Sequence, residues 1–382
     1  MLHTYSAVVV GLGILGSATL WRLSQQQSSV LGLEASGPIN LQGSSYGGSR
    51  IFRQAYWEGE DYLPLLNKAE RGWHELQASC HRTLLHQSGG LFIGPACSGV
   101  VSGSVATARA GDIAHRRLTA VQASGEFPMF QIGGQMEGLF EEGAFTIAAD
   151  DARLQMHNQA VANGAELRFG SQLQEITRIK DGLYLRLANG QVLHTRKLVL
   201  ATGAGLGGTL IPDLVGLVRS CSVPVYWCAF KPGKESCFTD FPAFLYELED
   251  GRLLYGTPQI DNAEPGIKIG FHNHQQVPLD LETQLQRVPE VLIDEMTACV
   301  EQVLPDLVAR PYASRKCVYT LTPDEAFVLG ESKELPGVFY ASACSGHGFK
   351  FAPALGECLA KAVAGQALED LVPKFTRERF AF

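Results

Sequence analysis

Read for its apolar and polar positions, the chain opens on an uninterrupted apolar run, Ala7 to Val10. Such a run is the mark of a parallel strand buried on both faces. A helix fits over Ser17 to Gln25, and a second short apolar strand follows at Val30-Leu31-Gly32-Leu33. Leu63 to Leu76 has helical periodicity. From Leu84 to about Gly143 the pattern changes to short apolar runs such as Gly90 to Ile93, and small-residue stretches such as Ser98 to Ala108, without clear βα alternation. A helix returns over Asp150 to Asn163, ended by Gly164, and a strand is expected at Glu166 to Phe169. Gln174 to Ile179, Leu183 to Leu187 and Gln191 to Thr195 alternate as strands, with hairpin turns at Asp181-Gly182 and Asn189-Gly190. They lead into an apolar strand from Lys197 to Leu200. Val223 to His272 is strand-like, with a hairpin of Phe244 to Leu248 and Arg252 to Tyr255 around Asp250-Gly251. A helix over Ile293 to Val303, a strand at Val338 to Ser342, a Gly-rich turn and a helix from Ala354 to Ala364 close the chain. That last strand–turn–helix rejoins the first domain. The fold class is therefore α/β plus α+β, with two interleaved domains. A Rossmann-like domain takes residues 1–83, 144–217 and 323–382, and a mixed or antiparallel-sheet domain takes 84–143 and 218–322.

Between the first strand and helix lies Gly11-Leu12-Gly13-Ile14-Leu15-Gly16. Gly11 permits the bend, Gly13 lets backbone N–H groups approach a pyrophosphate, and Gly16 lets the helix pack on the strand. Glu34 ends the second strand, 23 positions after Gly11. That is close to the ~20 expected for a carboxylate that accepts a ribose hydroxyl. The polar loop Gly43 to Arg50, which includes Ser44, is too long for a simple turn and is expected under a ligand. The strand ending in Ala201-Thr202-Gly203, after a three-strand excursion, favours FAD over NAD.

Composition narrows the class further. With 382 residues, 31 basic against 39 acidic groups and a net charge of −8, the chain has no basic run, which excludes nucleic acid as the main partner. No stretch reaches the ~18 apolar residues of a membrane span. Residues 7 to 21 carry glycines at dinucleotide spacing, with no Lys or Arg before them, so a signal peptide is not expected and the cytoplasm is. The nine cysteines, Cys80, Cys97, Cys221, Cys228, Cys237, Cys299, Cys317, Cys344 and Cys358, form no C-x-x-C pair. Neither a zinc site nor a disulfide framework is expected, and no other metal; most should be buried small hydrophobes.

Two late segments carry chemistry: Arg315-Lys316-Cys317-Val318-Tyr319-Thr320-Leu321-Thr322-Pro323-Asp324 and Ser345-Gly346-His347-Gly348-Phe349-Lys350. With Gly11 to Glu34 and Gly43 to Tyr56, they resemble the monomeric sarcosine oxidase and N-methyltryptophan oxidase family from end to end. The resemblance implies covalent FAD, held by a thioether from Cys317 to the flavin 8α carbon. Arg315 and Lys316 would favour the thiolate. It implies that Arg53 and Lys350 bind the substrate carboxylate, and that Tyr255, His272 and Tyr319 line the substrate cavity. Arg50 would lie against the flavin. Lys268, opposite Ile267 and Ile269 on its strand, would serve oxygen activation. The Gly346–Gly348 turn, with His347, would present backbone donors and a helix dipole to the negative edge of reduced flavin. Ser45-Tyr46-Gly47-Gly48 stands where the family prototypes have His-His-Gly-Asp, and the loop Gln259 to Pro265 adds Asp261 and Glu264.

The activity implied is FAD-dependent oxidation of a secondary amine, an N-methyl or cyclic amino acid, to an imine with release of hydrogen peroxide. The partners would be a small amine and O2, without nucleic acid or membrane, and the protein a monomer. Two alternatives stay open: an amine dehydrogenase with another electron acceptor, and a flavin-binding subunit without turnover of its own.

Overall fold

In the computed structural model, residues 4–96, 98–207, 210–261, 263–279, 287–342 and 345–380 are described. Cys97 and Cys344 lie outside them.

Among these residues one sheet has eight strands. Thr4–Val10 lies at its centre, parallel to Val30–Leu33 on one side and to Val192–Leu200 on the other. Ala7 to Val10 is buried throughout, as an all-apolar strand with covered faces must be. Val192–Leu200 is one strand of nine residues, where two were expected. Its first half closes the antiparallel hairpin with Gly182–Leu187, and its second half pairs in parallel with Val338–Ser342. The change of partner explains why the sequence reads as two pieces.

The first helix, Ile14–Ser24, starts three residues before its expected Ser17, because the glycine turn itself forms its cap at Gly13. It is buried along its whole length, between the sheet and the helix Ala352–Val363. A Cβ on Gly356 would lie 2.7 Å from the Ala18 carbonyl carbon, so that glycine permits the two helices to touch backbone to backbone.

A second sheet runs in the order Val277–Pro278, Arg219–Cys228, Ile267–Phe271, Leu253–Thr257, Ala243–Glu247, Gly90–Pro95, Met136–Glu141 and His115–Thr119. Ala313–Leu321 also pairs with Arg219–Cys228. The small-residue stretch near Ser98 is a helix, Gly99–Ala110, capped by the Ser98 side chain. Phe130, Phe241, Phe244 and Tyr226 pack on this sheet with the helix Glu290–Val303. A third sheet of three strands, Ser49–Phe52, Phe145–Ala148 and Leu85–Gln87, lies between. The architecture is a Rossmann-like α/β unit interleaved with a mixed-sheet unit.

Candidate active site

A cavity of about 740 Å³ runs from Gly11 and Glu34 to Cys317 and Lys350, touching strands of all three sheets. At its first end the chain leaves Thr4–Val10 into Gly11, whose φ of +87° is left-handed. A Cβ there would lie 2.6 Å from the Ala201 carbonyl oxygen. A Cβ on Gly16 would lie 1.8 Å from the Gly11 oxygen, so the helix could not close on the turn. Gly13 faces Ser45, whose Oγ accepts the Ile14 N–H at 2.9 Å. The buried Glu34 accepts from Leu12 N–H at 2.8 Å and from the Ser36 N–H and hydroxyl at 3.1 and 2.9 Å. Its oxygens keep lone pairs toward the cavity, which Glu34 lines. Gly203, with φ of +57°, lines the same end.

Further in, the loop after Gly43 folds over the strand Ser49–Phe52. Arg50 holds it from below, donating from Nη2 to the Ser44 and Tyr46 carbonyls, both at 2.7 Å. Asp150 accepts the Gly48 N–H at 3.0 Å. Lys268 sits on Ile267–Phe271, an interior strand of its sheet, and is 3% exposed. Its Nζ donates to the Gly47 oxygen at 3.0 Å and to the Ser49 oxygen. Burial, and then Arg50, push its pKa well below the usual lysine value.

Cys317, 6% exposed, comes from Ala313–Leu321, on the other side of Arg219–Cys228 from the Lys268 strand, with its Sγ 4.0 Å from the Gly43 and Ser44 carbonyl oxygens. Tyr46 donates its hydroxyl to the Lys316 carbonyl, which ties loop to strand. Alternation along Ala313–Leu321 turns Cys317 and Tyr319 to the cavity, while Lys316 does not line it. Arg315, expected to favour the thiolate, is held by Glu264 at 2.6 Å and stands 5.5 Å over Trp227. That partner is the acidic residue added to the Gln259–Pro265 loop, and the cations that line the cavity with the sulfur are Arg50, Arg53, Arg153, Lys268 and Lys350. Tyr255, hydrogen-bonded to Tyr319, has its phenol pushed up to about 12 by burial.

The far end is a buried charge cluster. Arg53 donates from Nη2 to both oxygens of Glu58, at 2.9 and 2.7 Å, and from Nη1 to the Ala55 oxygen at 3.1 Å. Burial pushes the Glu58 carboxyl up, but Arg53 and its neighbours overcome this and hold it at about 2. Lys350 Nζ donates to the His347 oxygen at 2.8 Å and lies 4.7 Å over the Tyr56 ring. Burial, then Arg53, lower it to about 7. His272 is lowered to about 4 and His347 to about 3, chiefly by burial, so both are neutral at ordinary pH. His347 bonds Tyr56 through Nδ1 and the Glu325 oxygen through Nε2 at 3.0 Å. Gly346, Gly348 and Lys350 line the cavity, and a 3₁₀ turn that includes Lys350, Phe349–Phe351, joins the glycines to the helix Ala352–Val363.

The structure thus brings Lys268, Arg50, Tyr255, Tyr319, His272, Arg53, Lys350 and Cys317 to one cavity with Gly11, Gly13, Glu34, Ser44 and Gly203. Gly16 stands behind its wall. Glu58 and Arg153 also line the cavity and were not disclosed by the sequence; Glu58 follows a strand at no helical or strand period, so only the folded chain shows its pairing. No group of three or more His, Cys, Asp or Glu among the described residues could hold a metal ion. No helix among them is long and apolar enough to cross a membrane.

The model of the family described as FAD dependent oxidoreductase matches residues 6–362. A monomeric sarcosine oxidase of Streptomyces avermitilis is 33% identical over 365 residues, covering 94% of each chain. An N-methyl-L-tryptophan oxidase of Salmonella enteritidis is 29% identical over 383 residues, covering 99% of each. Among solved structures, a variant of NikD, described as an unusual amino acid oxidase essential for nikkomycin biosynthesis, superposes with a TM-score of 0.82. It is 25% identical, with 96% of this chain and 95% of that one covered.

Proposed function

The chain belongs to the FAD-dependent oxidoreductase family, and we propose that it is an oxidase of a secondary amino acid, N-methylated or cyclic. The residues present fit the cofactor: at Gly11 and Gly13 a Cβ would crowd the Ala201 backbone or Ser45, beside the N-terminus of a buried helix. Gly11, Gly13, Glu34, Ser44 and Gly203 would hold the dinucleotide end, with Gly16 letting the helix approach. Arg50, Gly346, His347, Gly348 and Lys350 would border the flavin, and Cys317 would carry it covalently. When bound, FAD supplies the acceptor for the two electrons of the C–H bond next to nitrogen, and their route to O2 as hydrogen peroxide.

The chain's own residues do the rest. Arg53 and Lys350 orient the substrate carboxylate, a positioning effect; for this Arg53 must share its guanidinium with Glu58. Neutral His272 and the protonated Tyr255 leave the amine site without a charge of their own, so that the substrate binds as the free amine and needs no strong base. Lys268 has two N–H donors fixed on carbonyls. When protonated it has a third N–H, which would meet a negative charge growing on oxygen. We take the first sheet as the cofactor side and the second as the substrate side, in a monomer of the cytoplasm.

The observation that carries this reading is the convergence of Cys317, Lys268 and Arg50 in the cavity that also holds Gly11 and Glu34. The test is anaerobic mixing of the purified protein with N-methyl amino acids, pipecolate and proline. Bleaching of the yellow chromophore by one of them, and one peroxide per turnover in air, are expected. No bleaching by any of them refutes the reading, and bleaching without peroxide assigns a dehydrogenase.

A further inference from the structure

Arg153 stands in the second turn of the helix Ala149–Ala162 and is 1% exposed. A guanidinium has five N–H donors and keeps its charge in proteins. Here, among the described residues, its one hydrogen bond runs from Nη2 to Asp150 Oδ1 at 3.4 Å, and Nε has no partner. Asp150 turns its other oxygen to the Gly48 N–H at 3.0 Å. Glu34, the other carboxylate whose charge reaches Arg153, takes its hydrogen bonds from Leu12 and Ser36 and, among the described residues, none from Arg153. A buried cation so poorly matched calls for an anion.

The helix aims it. One turn further on, His157 meets the Ser17 hydroxyl at 2.8 Å, so the face carrying both residues looks at the first turn of Ile14–Ser24. Arg153 itself lines the cavity, together with Gly13, Glu34 and Ser45. The helix N-terminus there contributes only about half a unit of positive charge. We propose that Arg153 is the fixed counter-charge to the FAD pyrophosphate, completing the seat that the glycine turn begins. This rests on the FAD reading. It makes Arg153 a cofactor-binding residue that no nucleotide motif contains.

The test uses the ³¹P NMR spectrum of the holoenzyme, which reads the two phosphates directly. Arg153→Met should move at least one pyrophosphate resonance by more than its linewidth. It should also weaken FAD binding to apoprotein raised in flavin-starved cells by about tenfold to a hundredfold, the size of a lost charge-assisted pair. Asp150→Asn, which keeps the guanidinium, should leave both resonances in place. An unchanged spectrum in Arg153→Met, or the same change in Asp150→Asn, overturns the proposal and leaves Arg153 a support for Asp150. If the Met variant does not fold, Arg153→Lys is read instead: a moved resonance supports the assignment and a superimposable spectrum overturns it. A wild-type protein without flavin would refute the FAD reading, a separate outcome.

Discussion

Replacing Lys350 with Met should abolish a pH dependence of carboxylate binding that the intact site imposes just above neutrality. Burial, and then Arg53, bring Lys350 to about 7. Only its charged form attracts a carboxylate strongly, and the apparent dissociation constant scales as the reciprocal of the competent fraction. That fraction is roughly nine-tenths at pH 6 and roughly one-tenth at pH 8, so affinity should fall about tenfold over this interval and about tenfold more by pH 9. The fall ends where the binding energy of the neutral amine takes over. The neighbours titrate elsewhere. Glu58 lies at about 2, His347 at about 3, His272 at about 4 and Tyr255 at about 12. The assay is a titration with a short carboxylate that lacks an amine, such as propionate, followed by flavin absorbance from pH 6 to 9 at constant ionic strength. A flat wild-type profile, or a slope that survives in Lys350→Met, refutes the reasoning. Stability gives an independent check of sign. The unfolded lysine binds its proton up to about 10.5, so between pH 10.5 and 7 the unfolded state holds more protons than the folded one. Unliganded wild type should therefore lose stability as pH falls through that window, and Lys350→Met should lose less.

Lys268→Met should slow reoxidation by O2 about 10²- to 10³-fold, the size of one lost electrostatic stabiliser, and reduction by substrate far less; stopped-flow traces of the two half-reactions decide, and equal losses would remove the oxygen role. Cys317→Ser should move the yellow colour from the acid-precipitated pellet to the supernatant and drop the mass of the chain by that of one FAD. Colour released from the wild type itself would remove the thioether but leave FAD binding standing.

The elements legible in the sequence are those in which one physical signal dominates. Ala7 to Val10 and Val30 to Leu33 are apolar at every position or nearly so, and they lie in strands with both faces covered there. Gly99–Ala110 has Gly, Ser, Thr and Val in place of a polar–apolar stripe, and its helix rests on a cap and on packing against Gly90–Pro95. Nothing in its periodicity shows it.

The site divides along the same line. Glycines and Glu34 are legible because a pyrophosphate constrains the backbone within one contiguous βαβ unit, so the requirement is written at fixed spacing. Cys317 and Lys268 are legible only through their flanking segments, since the alternation that turns each inward is common to every half-buried strand. The counter-charges escape altogether. Glu58 follows Arg53 by five residues and Arg153 follows Asp150 by three, in a helix that carries polar residues on several sides. From sequence each is an ordinary solvated charge, and only the distant segments packed over it remove the water. A charge becomes functional here when the fold buries it without fully pairing it. Arg153, with Nε unpartnered at 1% exposure, meets that condition more fully than Arg53, whose guanidinium Glu58 already holds by two bonds.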